Sequence, residues 1–179
     1  MDMDAGIEMK WFVAYVHTNT ELRTADQLKL LGIESYVPTQ FVKKIRKTGR
    51  KINGTRKVIP GMVFVKCNEQ ERRSQVVALP SVLRFLMDRS SIERRVATIP
   101  QSEIDLLRFM VGQSEVLVTL DINRFSIGKK VRVLRGSLVG FEGDVVEIRP
   151  DYSEITIRLD HLGCAKLSIP TVDLELVDG

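Results

Sequence analysis

Ile59-Pro60-Gly61-Met62-Val63-Phe64-Val65 is the stretch on which the fold turns. Proline presets φ and glycine accepts angles other residues avoid, so Pro60-Gly61 breaks the chain. The run Met62 to Lys66 that follows is dense in residues that favour sheets. A turn feeding a buried strand is the reading. Immediately upstream, Phe41 to Lys47 extends toward a turn-rich tip, Gly49 through Gly54, and Thr55 to Ile59 returns from it, which predicts a long hairpin. Earlier still, the apolar and aromatic run Trp11 to His17 suits a buried strand. A helix should follow it, since Thr18 and Glu21 have capping-box spacing and Leu22, Ala25 and Leu28 share a face that stops near Leu31-Gly32. Ile33 to Thr39 reads as a second strand, interrupted by Pro38.

Downstream the pattern alternates again. Asn68 and Glu71 have capping-box spacing before a helix that should reach about Leu79, where Pro80 stops it. Val82 to Met87 reads as a short strand. Pro100 to Val111 reads as a third helix, with Ser102 as its N-cap, Ile104, Leu107, Met110 and Val111 on its buried side, and Gly112 at its end. Residues 9–112 thus predict an α+β domain: an antiparallel sheet flanked by helices.

Residues 113–124 lose this periodicity and read as a linker, with an edge strand at Val116, Leu117 and Val118 left open. Beyond it, residues 125–179 have no helical period. Short strands at Lys130 to Leu134, Gly143 to Ile148, Ile155 to Leu159 and Lys166 to Ile169, separated by Gly-, Pro- or Asp-rich turns, predict a small all-β barrel.

Composition narrows the function. The 179 residues are 44% hydrophobic but only 6% aromatic, so aliphatic side chains must fill most of the interior. No apolar run approaches the roughly 20 residues of a membrane span, and Asp2, Asp4 and Glu8 stand where a signal peptide would carry cations, so a cytoplasmic protein is expected. Cys67 and Cys164 lack a second Cys or a His at ligand spacing, and His17 and His161 are isolated. Neither a metal site nor a disulfide is expected. No nucleophile with a nearby base, carboxylate pair or phosphate-cradling loop emerges, which argues against an enzyme.

The charge is unevenly placed. Residues 1–124 hold 20 Lys/Arg against 14 Asp/Glu, whereas residues 125–179 hold 7 against 9. Lys43, Lys44, Arg46, Lys47, Arg50, Lys51, Arg56 and Lys57 form a run of eight cations without an acid. Such a hairpin suits phosphate contact without base reading, or serves as a solubilising loop.

The chain resembles the NusG family. Trp11-Phe12-Val13, Tyr36-Val37-Pro38-Thr39, Ile59 to Val65, Leu79-Pro80-Ser81-Val82 with Phe85, and Ile99-Pro100 look like the ordered signatures of that family's N-terminal (NGN) domain. Phe125-Ser126-Ile127-Gly128, Val131-Arg132-Val133 and Gly136 to Val146 resemble its KOW motif, a hairpin in an SH3-like barrel. In that hairpin Gly136, Gly140 and Gly143 would permit tight backbone angles or close contacts.

The resemblance implies docking on the clamp helices of RNA polymerase through an apolar depression carrying Tyr15, Ile59, Met62, Phe64 and Phe85, although Phe64 and Phe85 read equally as core. The family often has aromatic residues where Ile59 and Met62 stand. A second contact, to the polymerase gate loop, would use Arg72, Arg73, Ser74 and Gln75, which also read as a solvated helix face. The basic hairpin would lie near the DNA of the transcription bubble, and His17, Arg23 and Gln27 match positions with which specialised relatives contact the displaced strand. The barrel would engage a ribosomal protein or Rho through Asp160 to Ala165, with Leu162 and Gly163 at the contact.

No cofactor is implied, and a monomer is expected. The Leu31 to Pro38 connection and the residues around Pro60-Gly61 lean toward a specialised antiterminator of the RfaH or UpxY type over a housekeeping factor. A ribosome-associated KOW RNA-binding protein would instead concentrate cations after residue 125.

Overall fold

The buried run Lys10–Val16, with Trp11 to Ala14 and Val16 all out of solvent, sets the first layer of the structure. The computed structural model describes residues 8–88, 91–113, 118–121, 128–148, 152–170 and 173–177. Val116, Leu117, Phe125, Ser126 and Ile127, and most of the 113–124 segment expected as a linker, lie outside the described residues. Strands β1 (Lys10–Val16), β2 (Glu34–Tyr36), β5 (Met62–Cys67) and β6 (Val82–Phe85) form an antiparallel sheet in the order β2-β5-β1-β6. Helix α1 (Glu21–Leu30) follows β1. Strands β3 (Thr39–Ile45) and β4 (Lys51–Lys57) make a two-stranded hairpin. After α2 (Glu69–Glu71), which continues as a π-helix over Arg72–Val76, comes α3 (Gln101–Gln113). Strands β7 (Val118–Asp121), β8 (Lys130–Val133), β9 (Glu142–Ile148), β10 (Tyr152–Leu159), β11 (Gly163–Pro170) and β12 (Leu174–Leu176) form an antiparallel sheet in the order β12-β8-β9-β10-β11-β7. The class is α+β, as expected. Among the described residues no helix is long and apolar enough to cross a membrane.

The chain divides into two compact units, residues 1–37 with 59–104, and residues 38–58 with 105–179. In the first, Phe12, Ala14 and Val16 of β1 and Val63, Val65 and Cys67 of β5 share a face with Phe85 and bury it against Leu28 of α1, Ile33 and Val76. Leu28 is fully buried, so truncating it to alanine should cost about 2–5 kcal/mol. In the second unit, Val131, Val133, Ile157, Leu159 and Leu167 of the β-sheet and Leu162 of the turn between β10 and β11 are among the buried residues. A Cβ at Gly143 would stand 2.4 Å from the Thr156 carbonyl oxygen, so close strand approach excludes a side chain there.

Several local expectations give way to longer-range contacts. Thr18 does not cap α1: Thr20 precedes the helix with its hydroxyl donating to the His17 carbonyl, and the Glu21 carboxylate accepts from the Gly61 N–H. The hairpin tip lies at Arg46 to Arg50, not Gly49 to Gly54, because Arg46 and Gly49 close the turn and Asn53 and Gly54 pair with Lys43 and Val42. The Asn68–Glu71 capping box forms in both directions, but the helix it opens ends at Val76. Helix α3 starts at Gln101, where the Pro100 carbonyl accepts from Glu103 and Ile104, so Ser102 sits inside the first turn. Strand β6 stops at Phe85, and Met87 makes an isolated bridge to Val96. Strand β7 falls within the segment expected as a linker, and it pairs with β11.

Candidate functional site

The second face of the four-stranded sheet is built in cross-strand rows. Glu34, Lys66 and Trp11 are register partners, then Tyr36, Phe64 and Val13, then Met62, Tyr15 and Arg84. The first row is ionic and aromatic: Lys66 Nζ lies 3.6 Å from Glu34 and 5.8 Å from the centre of the Trp11 ring. In the second row Phe64 is fully buried beside Tyr36, ring centres 5.9 Å apart. The third row reaches solvent. Tyr15 and Met62 are half-buried, and the exposed Arg84 lays its guanidinium 4.0 Å above the Tyr15 ring. A flexible thioether, an amphipathic ring and an aromatic-stacked cation side by side can receive an apolar helix face carrying a carboxylate.

Ile59, expected on this surface, is buried instead, and Phe64 and Phe85, which read equally as surface or core, are core. Ile59 is 6% exposed, Phe64 is 0% exposed, and Phe85 belongs to the opposite face, where its ring meets Phe12 edge-on. Period-two alternation puts Phe85 on the core side. Arg84, which sequence reasoning missed, faces outward because it is the register partner of Tyr15.

The connection that delivers Met62 is anchored twice. The Gly61 carbonyl accepts from Val16 N–H at 2.9 Å, and Gly61 N–H donates to Glu21 Oε1 at 2.7 Å. Gly61 has φ +75, the angle a Pro-Gly turn requires at its second central residue. Glu21 is itself fully buried in the first turn of α1, so the helix start and the loop are tied together.

Arg72, Arg73, Ser74 and Gln75 separate into two roles. Arg72 is buried, not presented as expected: its guanidinium lies 5.4 Å from the Phe12 ring centre and 5.1 Å from that of Phe85, and donates to Glu69 Oε2 at 2.7 Å. Burial pushes the Glu69 carboxyl up, but the hydrogen bonds and charges of Arg72 and Arg73 outweigh it and hold the group below its ordinary value. Cys67 nearby is pushed up to about 12 by burial and then by the Glu71 charge. Arg73, Ser74 and Gln75 are exposed, with the Ser74 hydroxyl donating to the Gln70 carbonyl.

The β3–β4 hairpin has two unlike faces. Gln40 and Arg56, register partners, turn inward to β7: Val118 N–H donates to Gln40 Oε1 at 2.8 Å, and Arg56 donates to the Val118 carbonyl and to Thr119 Oγ1, both at 3.1 Å. Lys43, Arg46, Lys47, Arg50 and Lys51 are exposed, as are Phe41 and Ile45, which sequence reasoning did not single out. The side chain of Lys44 lies outside the described residues. On α1, Arg23 is exposed and Gln27, four residues on, is half-buried on the same helix face; His17 is exposed at the end of β1.

In the barrel, Leu162 corrects its expectation. It is fully buried, and Gly163 is buried with φ +90, so the β10–β11 turn folds its apolar residue inward and exposes Asp160 and His161.

Comparison with known proteins bears on the whole chain. Residues 9–108 match the family model of NusG, transcription termination factor nusG. The chain is 29% identical to the transcription termination/antitermination protein NusG of Synechocystis, over 87% of this chain and 83% of that one. It is 28% identical to the protein of the same name from Pseudomonas aeruginosa, over 84% and 88% of the two chains. In fold it is similar to the solved structure of Thermotoga maritima NusG, with a TM-score of 0.53, 19% identity and coverage of 96% and 98%.

Proposed function

The chain belongs to the NusG family of transcription termination/antitermination factors, and from that premise we propose that it binds transcribing RNA polymerase through the Met62–Tyr15–Arg84 row. The observation that carries this reading is the solvent-reaching row itself, held in place by the doubly anchored Gly61. Clamp helices of the polymerase are the partner that fits, docking an apolar stripe over Tyr15 and Met62 with an acid against Arg84. Arg73, Ser74 and Gln75 supply the second contact, to the gate loop, and the bridge between clamp and gate favours the closed, transcribing population over the paused one. Binding alone does this, with no chemical step. The basic hairpin steadies nearby DNA through phosphates, and Asp160 and His161 mark the barrel turn that meets a ribosomal protein or Rho. The protein works in the cytoplasm, where its polymerase is.

The test is direct binding of polymerase by Met62→Asp and Tyr15→Asp variants, both at half-buried positions. Each should weaken binding at least tenfold with the thermal transition retained; affinity equal to the parent for both would refute the surface. A specialised antiterminator role is the finer reading, motivated by aliphatic Ile59 and Met62 where the family often carries rings. Mapping occupancy on transcribed genes decides it: a few operons for a specialist, broad coverage for a housekeeping factor.

A further inference from the structure

From the outward face of the β3–β4 hairpin we infer that this protein holds single-stranded nucleic acid, with Phe41 as a stacking platform for a base and Lys43 and Lys51 on the phosphates. The inference rests on the proposed contact of the basic hairpin with nucleic acid and goes beyond it by naming the strand state and the base-contacting residue. Strand alternation sends Phe41, Lys43 and Ile45 to the side opposite Gln40, and their register partners Thr55, Asn53 and Lys51 complete the same face. All six are exposed, whereas Gln40 is buried and Arg56 is half-buried. The two faces are therefore fixed by the hydrogen bonds of Gln40 and Arg56 to β7.

Phe41 is 89% exposed and Ile45 69% exposed, large apolar surfaces on a segment with eight cations and no acid from 43 to 57. Solvation alone explains the cations but not the ring. An aromatic face flanked by cations is the arrangement that takes unpaired bases, because every base offers a π-face while the phosphates beside it meet the lysines. Along β3, Phe41, Lys43 and Ile45 stand about 7 Å apart in turn, so a cation lies between the ring and an aliphatic side chain on one strand face. A duplex would satisfy the lysines and leave Phe41 without a base to stack on, since its bases are already stacked.

The experiment uses the full chain, a labelled 12-nucleotide oligo(dT), the matching dA·dT duplex, and vesicles of phosphatidylserine and phosphatidylcholine, with anisotropy and co-sedimentation read at several salt concentrations. Phe41→Ala should weaken single-strand binding about tenfold with little change for the duplex and the same salt slope, and Phe41→Trp should restore it. Lys43→Ala with Lys51→Ala should weaken both nucleic acids and flatten the slope. If the Phe41 variants bind oligo(dT) as the parent does while the lysine variant is impaired, stacking is overturned and phosphate contact by the hairpin stands. If the lysine variant is also unaffected, the contact itself falls. Loss of vesicle binding in Phe41→Ala with oligo(dT) binding intact overturns the inference in favour of a lipid surface.

Discussion

Gln40 accepts the Val118 N–H at 2.8 Å in a buried hydrogen bond between residues 78 positions apart, and Arg56, its register partner, donates to the carbonyl of the same residue. Both outward-pointing backbone groups of Val118, on the edge strand β7, are thus taken by one cross-strand pair. An edge strand presents such groups to any other chain, and side chains that occupy them block further pairing.

Gln40→Leu keeps the bulk and removes the acceptor, leaving the Val118 amide buried without its partner. The expected cost is about 1–3 kcal/mol in urea unfolding, with faster hydrogen exchange at the Val118 amide. An unchanged exchange rate would mean that the bond contributes little.

Arg72 holds two rings and a carboxylate at once, which makes it structural in spite of its place in a charged segment. Arg72→Met retains much of the stem but loses the guanidinium. It should lower stability by about 2 kcal/mol, whereas Arg73→Ala at an exposed position should change it by less than about 0.5 kcal/mol. Thermal unfolding of the two variants side by side distinguishes these.

What could be read from the sequence followed the range of the interactions. The apolar, sheet-favouring runs of β1 and β5, the Asn68–Glu71 capping box and the Pro60-Gly61 break depend on neighbours a few residues away, and these elements formed where the local pattern put them. Thr18 and Glu21 also had capping spacing, yet the carboxylate is drawn 40 residues along the chain to Gly61, a partner no window contains. The site divided in the same way. Tyr15 and Met62 reach solvent, but Arg84 became visible only through its register with Tyr15, and Leu162, matched to a contact position by resemblance, is turned inward beside Gly163, whose φ of +90 no local pattern announces.

Cys67 sets an alkaline limit on the first unit. Its thiol is pushed from 9.0 up to about 12 in the folded chain, so between those values the unfolded state releases a proton that the native state keeps. The native state then binds more protons, and its stability, fully present below about pH 9, falls as pH rises toward 12. Cys67→Ala should flatten this alkaline limb in unfolding curves. Alkylation of native Cys67 by iodoacetamide at pH 8.5 should be far slower than in urea.

Gly61 and Gly49 form a matched pair that separates strain from positioning. Their φ angles are +75 and +78, so alanine at either is strained by about 1–2 kcal/mol. At Gly49, on the exposed hairpin tip, a Cβ would meet nothing within 4 Å, whereas a Cβ at Gly61 would sit 3.5 Å from the Val16 carbonyl oxygen. That approach is an ordinary contact, and what sets Gly61 apart is its hydrogen bonds to Val16 and Glu21, on which relief of the strain pulls and which aim Met62 beside Tyr15. Both variants should lose similar stability, but only Gly61→Ala should weaken binding to core polymerase measured without nucleic acid. Equal affinity of the two variants would show that the loop anchors serve the fold alone, and that the Met62–Tyr15 row does not depend on them for its binding geometry.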